Sequence, residues 1–338
     1  MANEISPLLE AKRPAFPAHA AASLPYDGSQ HSQRRLPQTI AHRGDASAFP
    51  ENSMGAFRSA VAVGAHALET DIHLSRDGVV VLSHDASLKR CFGIDQKIAD
   101  CDWSYLSTLQ TLREPRQSLP RLSDLLEYLA QPGLESVWVL LDIKMDDDPD
   151  DLLSRTAETI ASVPTTRPWN ERILLGGWNE NYLELCKEYF PGFPVAYIGF
   201  TLLYAKRFLE QPQVNFNLAQ RSLVGPAGRY FVKAIREARR ALFVWTVNDE
   251  EWMEWSIRKK VDGVITDNPR LFLDVCRRWE AEGRGSRRWR VPSARGVRLY
   301  LTAFCIQALQ LVFTALLWRK LNSMGKRRRL SLKPLESI

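Results

Sequence analysis

Residues 67–85 read ALETDIHLSRDGVVVLSHD, and the fold turns on how that stretch is read. Its first eight residues have the apolar and β-branched content of a strand. Glu69 and Asp71 stand two apart on that strand, so both carboxylates project from one face. Asp77-Gly78 then separates two extended runs, which is a hairpin signal. A hairpin there returns VVVLSHD alongside the strand and brings His84 to the same end as Glu69 and Asp71.

Working outward, seven more strands are expected: QTIAH (38–42), VWVLLDIK (137–144), RILLGG (172–177), PVAYIGF (194–200), VNFNLA (214–219), LFVWTVN (242–248) and DGVITD (262–267). Amphipathic helical segments separate them at Ser53–Val63, Leu122–Leu129, Leu152–Ala161, Tyr182–Tyr189, Gly228–Ala238 and Glu250–Lys259. Eight strands alternating with helices predict an α/β (β/α)8 TIM barrel with a small β-hairpin insertion after the second strand. A doubly wound open sheet is the alternative.

The chemistry-bearing residues cluster at the ends of these strands. Glu69 and Asp71 repel each other unless a cation, arginine or lysine lies between them. Hard oxygen ligands of this kind suit Mg2+ or Ca2+. Asp142 and Lys144 repeat the same spacing on the next barrel strand, adding a carboxylate and an ammonium suited to a phosphate oxygen. His42 and His84 each close an apolar run, and an imidazole titrating near pH 6.5 serves as acid or base at neutral pH. Arg43 offers a planar fork to phosphate. His66 and His73 are expected to be structural.

The net charge of +6 divides unevenly. Residues 281–338 hold thirteen Lys/Arg against Glu282 and Glu336, a surplus of +11, so residues 1–280 carry 6 − 11 = −5. An acidic folded region excludes nucleic acid as a partner, because such a partner requires the basic surface on the folded domain. Leu299–Trp318 is a run of twenty residues without a charge, flanked by Arg295, Arg298, Arg319 and Lys320. A helix of that length spans about 30 Å, the thickness of a bilayer's hydrocarbon core. Its basic flanks favour anionic phospholipid membranes. They leave open whether the helix crosses the bilayer or lies in one leaflet. The expected organisation is a flexible arm over 1–36 without signal-peptide character, a barrel over 37–280, a basic linker over 281–298, a membrane-associated helix over 299–318 and a basic tail over 319–338. Five cysteines, odd in number and without a CxxC pair, point to reduced thiols and a cytosol-facing domain.

The motifs HRG (42–44), PEN (50–52), ETD (69–71), SRDGVVVLSHD (75–85), LDIK (141–144), WTVN (245–248) and GVITDNP (263–269) together resemble the glycerophosphodiester phosphodiesterase family, in the family's order. Within it, LDIK, WTVN and the apolar C-terminal segment are most similar to the fungal phosphatidylglycerol phospholipase C. The resemblance implies that Glu69, Asp71 and Asp142 ligate one divalent cation and that His42 and His84 form the acid/base pair. It further implies that Arg43 and Lys144 bind the phosphate, that Glu51 and Asn52 orient groups in the site, and that Trp245 lines the pocket. Soluble members usually place Glu where this chain has Asp142; aspartate stands there in the phosphatidylglycerol phospholipase C and in sphingomyelinase D enzymes. The implied function is a metal-dependent phosphodiesterase on membrane glycerophospholipid, cutting phosphatidylglycerol to diacylglycerol and glycerol phosphate. The expected place is an intracellular membrane surface of the endoplasmic reticulum, mitochondrion or lipid droplet. The rivals are a phosphodiesterase of soluble glycerophosphodiesters, a (lyso)phospholipase D and a catalytically silent lipid-binding scaffold.

Overall fold

Each of the eight expected strands forms, and they close on themselves. In the computed structural model they are β1 (Gln38–His42), β2 (Ala67–Leu74), β4 (Trp138–Ile143), β5 (Ile173–Gly177), β6 (Val195–Gly199), β7 (Val214–Ala219), β8 (Leu242–Trp245) and β9 (Gly263–Thr266). All are parallel in the order β1-β9-β8-β7-β6-β5-β4-β2, and pairing of β1 with β2 completes the barrel. The open-sheet alternative fails on that closing pair. The structure describes residues 36–281 and, beyond them, Val297, Leu301, Phe304, Cys305 and Ala308. The expected N-terminal arm, basic linker, apolar helix and basic tail lie outside the described residues, apart from isolated positions. Among the described residues no helix is long and apolar enough to cross a membrane.

Alternation along the strands builds two apolar layers. Ile40, Ala67, Trp138, Leu140, Leu174, Ala196, Ile198, Phe243 and Ile265 fill the barrel interior. The intervening residues, such as Leu68, Val139, Leu141, Leu175 and Phe216, pack outward under the helices. At the N-terminal end, Trp138 Nε1 donates to Gln38 Oε1 at 2.8 Å. There, too, Arg172 is fully buried, donating to the backbone carbonyls of Leu129, Leu134 and Val137. Its guanidinium satisfies these three carbonyls, which removes the cost of leaving them dry and unpaired.

All six amphipathic segments are helices, with Leu122–Leu129 and Glu250–Lys259 at their expected bounds. The third helix starts earlier than expected, at Pro149, because Asp148 caps it through its side chain and proline suits the first turn. A further helix, Pro269–Ala281, was not expected. It buries Phe272, Val275 and Cys276, a 3–4 spacing that marks an amphipathic face.

The hairpin is present, but the small insertion expected after the second strand is larger than a hairpin. β3 (Val80–Leu82) pairs antiparallel with β2. The chain then wanders to Arg121 through short helices at Lys89–Phe92 and Trp103–Leu106. Val81, Leu88, Phe92, Ile98, Leu106, Leu109 and Leu119 give this excursion an apolar cluster of its own. That cluster anchors the excursion over the barrel mouth.

Candidate active site

Strand register brings the expected residues to one place. His42 lies opposite Glu69 across β1 and β2, and Asp71 lies opposite Asp142 across β2 and β4. His42 ends β1 and Asp142 stands next to the end of β4, so this register sets all four side chains at the C-terminal mouth of the barrel, β2 running on past Glu69 and Asp71 to Leu74 and the hairpin. Glu69, Asp71 and Asp142 are buried, and each offers an oxygen within 4.8 Å of the others.

Three buried carboxylates need positive charge nearby. Lys144 Nζ lies 2.7 Å from Asp71 Oδ1 and 2.7 Å from Asp142 Oδ2. Arg43 Nε stands 3.2 Å from Asp71 Oδ2, and its backbone N–H donates to Glu69 Oε2 at 3.0 Å. Burial works to raise the Asp71 pKa, yet Lys144 and Arg43 hold it down at about 2. Burial and the adjacent Asp71 push Glu69 up to about 7. Burial also raises Asp142, with Asp71 adding to it. Negative charge thus exceeds what the arginine and lysine neutralise. Asp71 Oδ1, despite its ion pair, has no hydrogen bond of good geometry. An oxygen-only donor set with an unspent buried lone pair fits Mg2+ or Ca2+.

The turn after β1 explains the HRG sequence. Arg43 and Gly44 both adopt positive φ, 57° and 82°. A Cβ on Gly44 would come within 2.7 Å of Ala56 on the following helix, so only glycine fits there. Asn52 also takes a positive φ, 52°, which asparagine tolerates. Its amide is used at both ends: Nδ2 donates to Asp71 Oδ2 at 2.9 Å, and Oδ1 accepts from Thr70 Oγ1 at 2.8 Å. Ser53 then caps the helix by accepting from Ala56 N–H at 3.2 Å.

The two candidate acid/base histidines each have a carboxylate partner. His42 Nδ1–H donates to Asp267 Oδ1 at 2.6 Å, and its Nε2 faces Glu69 Oε2 at 4.0 Å. Burial disfavours the His42 imidazolium, but Glu69 and the Asp267 hydrogen bond outweigh it and raise the pKa. His84 Nδ1 pairs with Asp85 Oδ1 at 2.6 Å. The hairpin holds His84 at the mouth, since Ser83 N–H donates to Asp71 O at 3.1 Å. His66 and His73, expected to be structural, each make a hydrogen bond within the fold. His66 Nδ1 accepts from Thr39 N–H at 3.0 Å, and buried His73 pairs with Asp147 at 2.6 Å.

Two carboxylate-supported imidazoles around a buried acidic triad, at the mouth of a parallel barrel, are the parts of a phosphodiesterase site. The family model of the glycerophosphoryl diester phosphodiesterases matches residues 42–271. The chain belongs to this family. The glycerophosphodiester phosphodiesterase of Caldanaerobacter subterraneus subsp. tengcongensis is 26% identical over 250 residues, spanning 71% of this chain and 97% of that one. Lysophospholipase D GDPD1 of Homo sapiens is 25% identical over 292 residues, 74% of this chain and 89% of its own length. Among solved structures, glycerophosphodiester phosphodiesterase from Thermotoga maritima superposes with a TM-score of 0.57 at 26% identity, covering 72% of this chain and 100% of that one. An Oleispira antarctica phosphodiesterase in complex with the product sn-glycerol-3-phosphate shares the fold, with a TM-score of 0.63 at 23% identity over 72% of this chain and 97% of that one.

Sequence reasoning missed several residues of this phosphodiesterase site. Asp267 lies in GVITDNP but had no role assigned; Asn248 holds it with a 2.5 Å hydrogen bond. Arg90, in the excursion after β3, donates twice to Glu51, at 2.7 and 2.8 Å, and once to Asp85 at 2.6 Å. Glu51 in turn accepts from Arg43 Nη1 at 2.8 Å. A continuous chain therefore runs from His84 through Asp85, Arg90, Glu51 and Arg43 to Asp71. On the other side of the mouth, Trp245 donates to Asn217 O at 3.1 Å and meets Trp178 edge-on, with ring centroids 5.8 Å apart.

Proposed function

We propose that this phosphodiesterase acts on membrane glycerophospholipid as a phospholipase C, cutting phosphatidylglycerol into diacylglycerol and glycerol phosphate. The observation that carries phosphodiester cleavage is the buried triad Glu69, Asp71 and Asp142 with His42 and His84 at its edge. A divalent cation, Mg2+ or Ca2+, held by those three carboxylates would neutralise the non-bridging phosphate oxygens as charge grows on them. Arg43 and Lys144 stand beside the triad, where their cationic groups favour phosphate. One histidine takes the proton of the nucleophile, which is water or a hydroxyl of the headgroup. The other returns a proton to the leaving alkoxide.

A lipid substrate is supported by the mouth itself. Met145 after β4, Phe200 after β6 and Leu203 beyond it are 54%, 39% and 65% exposed. They sit at the C-terminal ends of strands that flank β5, on the face where the site opens. The sequence of the C-terminal region supports the same reading: an apolar run wrapped in arginine and lysine suits an anionic bilayer. In this reading Leu299–Trp318 is the membrane anchor and the barrel faces the cytosol from an intracellular membrane. A second reading, lysophospholipase D, is favoured by the similarity to lysophospholipase D GDPD1 of Homo sapiens.

Incubation of the purified protein with phosphatidylglycerol, lysophospholipids and glycerophosphocholine, with and without chelator, tests both. Diacylglycerol with glycerol phosphate, lost in chelator, is the expected outcome. Free glycerol with phosphatidic acid, or choline from a lysophospholipid, would replace the phospholipase C reading with a D-type one. Turnover that survives chelation would remove the cation from the mechanism.

A further inference from the structure

Trp178 stands directly after β5 and contacts three parts of the site at once. Its Nε1–H donates to Asp142 Oδ1 at 2.7 Å. Lys144 Nζ lies over its ring, 5.7 Å from the centroid. Trp245 meets the indole edge-on, with ring centroids 5.8 Å apart. Asp142 Oδ2 is the oxygen that meets Lys144, and through that ammonium it sits beside Asp71 Oδ1. The two oxygens of Asp142 are therefore held by different partners, Oδ1 by the indole and Oδ2 by the Lys144 ammonium it shares with Asp71.

The backbone of β5 shows why the indole is needed. Asp142 lies opposite Gly176, which has no side chain to orient a carboxylate. A Cβ at Gly176 would come within 2.5 Å of Ile198 Cδ1, so a larger residue there would have to displace that buried side chain. Trp178 is the next residue on the same face of the strand. From there its N–H reaches Asp142. A short aspartate, held this way from behind, presents a single defined oxygen.

We infer that Trp178 is a positioning residue for the divalent cation, fixing Asp142 so that Oδ2 is the oxygen offered alongside Glu69 and Asp71. This rests on the reading of the triad as a metal site. Hydrogen bonds to metal-ligating groups orient the ligand, and their loss typically weakens metal affinity by about 10- to 100-fold.

Calorimetric titration of the full-length protein with Mg2+, Ca2+ and Mn2+ tests the inference without substrate. Trp178→Phe keeps a ring and loses the N–H, and should weaken cation binding by about 10-fold or more. Trp178→Gln loses the ring and keeps an N–H donor, and should weaken it less. Trp245→Phe, which touches the indole and not the carboxylate, should leave cation affinity as it is. Equal affinity in Trp178→Phe and the parent protein overturns the inference while leaving the metal reading intact, and equal weakening in Phe and Gln overturns the role of the N–H. A parent protein that binds none of the three cations overturns both the inference and the metal reading beneath it.

Discussion

His42 and Asp267 meet across the seam of the barrel, 2.6 Å apart, although 225 residues separate them in the chain. The carboxylate accepts from Nδ1–H and so fixes the tautomer, leaving Nε2 as the nitrogen that faces the site. Asp267→Asn should therefore lower kcat by about 100-fold or more, within the range general acid–base catalysis contributes. KM should change little. The direction of the pH effect follows from the raised His42 pKa, to which Asp267 contributes. Losing that contribution lowers the pKa, so whichever limb of the pH–rate profile reports His42 moves to lower pH. A profile that keeps both limbs in place would deny the pair its role.

Arg90 bridges the two halves of the mouth, holding Glu51 from the loop after β1 and Asp85 beside His84. Its guanidinium engages Glu51 in two parallel hydrogen bonds, a geometry lysine does not reproduce. Arg90→Lys and Arg90→Met should both reduce kcat by about 10-fold, reflecting a loss near 1.4 kcal/mol. Half-exposed at the surface, Arg90 holds no apolar core together, so urea midpoints should change far less than activity. If Arg90→Lys is as active as the parent, the bidentate contact is not what orders the mouth.

The barrel and the triad were legible for one physical reason. Strands buried on both faces are continuous apolar runs, and a carboxylate or histidine at the end of such a run is conspicuous, as at Asp142 and His42. Asp267, Arg90, Asp85 and Trp178 were not legible because their importance comes from who sits across from them. Asp267 matters only once β9 closes against β1. Arg90 matters only once the excursion after β3 folds back over the mouth. Trp178 follows two glycines and looks like the start of a turn until the register with β4 is known. The helix beginning at Pro149 differs: its capping aspartate and first-turn proline were visible, but the apolar periodicity begins later, at Leu152.

Asp262 carries a pH dependence of stability with a defined sign. Its carboxylate accepts from Leu242 N–H at 2.8 Å, and burial pushes its pKa up to about 7. An unfolded aspartate titrates near pH 4. Between about pH 4 and 7 the folded protein thus holds a proton that the unfolded chain has released, so stability falls as pH rises through that window. Asp262→Asn removes the titration and keeps an oxygen for Leu242 N–H. The variant should gain stability relative to the parent from pH 4 to 7, with the difference level above that. Denaturant melts at four pH values measure it, and a difference independent of pH would show that Asp262 ionises freely in the fold.

Phe200 and Leu203 test the lipid reading through the barrel's own surface. Both are exposed beyond β6 at the mouth, with exposed Lys206 and Arg207 immediately after them. Full burial of one such side chain contributes about 1.5–3 kcal/mol, so even partial insertion of two at a bilayer surface exceeds the 1.4 kcal/mol that a tenfold change requires. Aspartate at either position would have to be desolvated against the same surface, which adds to the loss. Phe200→Asp/Leu203→Asp should lower the rate on phosphatidylglycerol in vesicles by at least about 10-fold. The rate on a short-chain phosphatidylglycerol kept monomeric should be unchanged, because neither residue touches the triad or the histidines. Equal loss on both substrates would place the pair in the fold or the pocket, and equal rates on both would remove the rim from membrane binding, leaving the apolar C-terminal segment as the route to the bilayer.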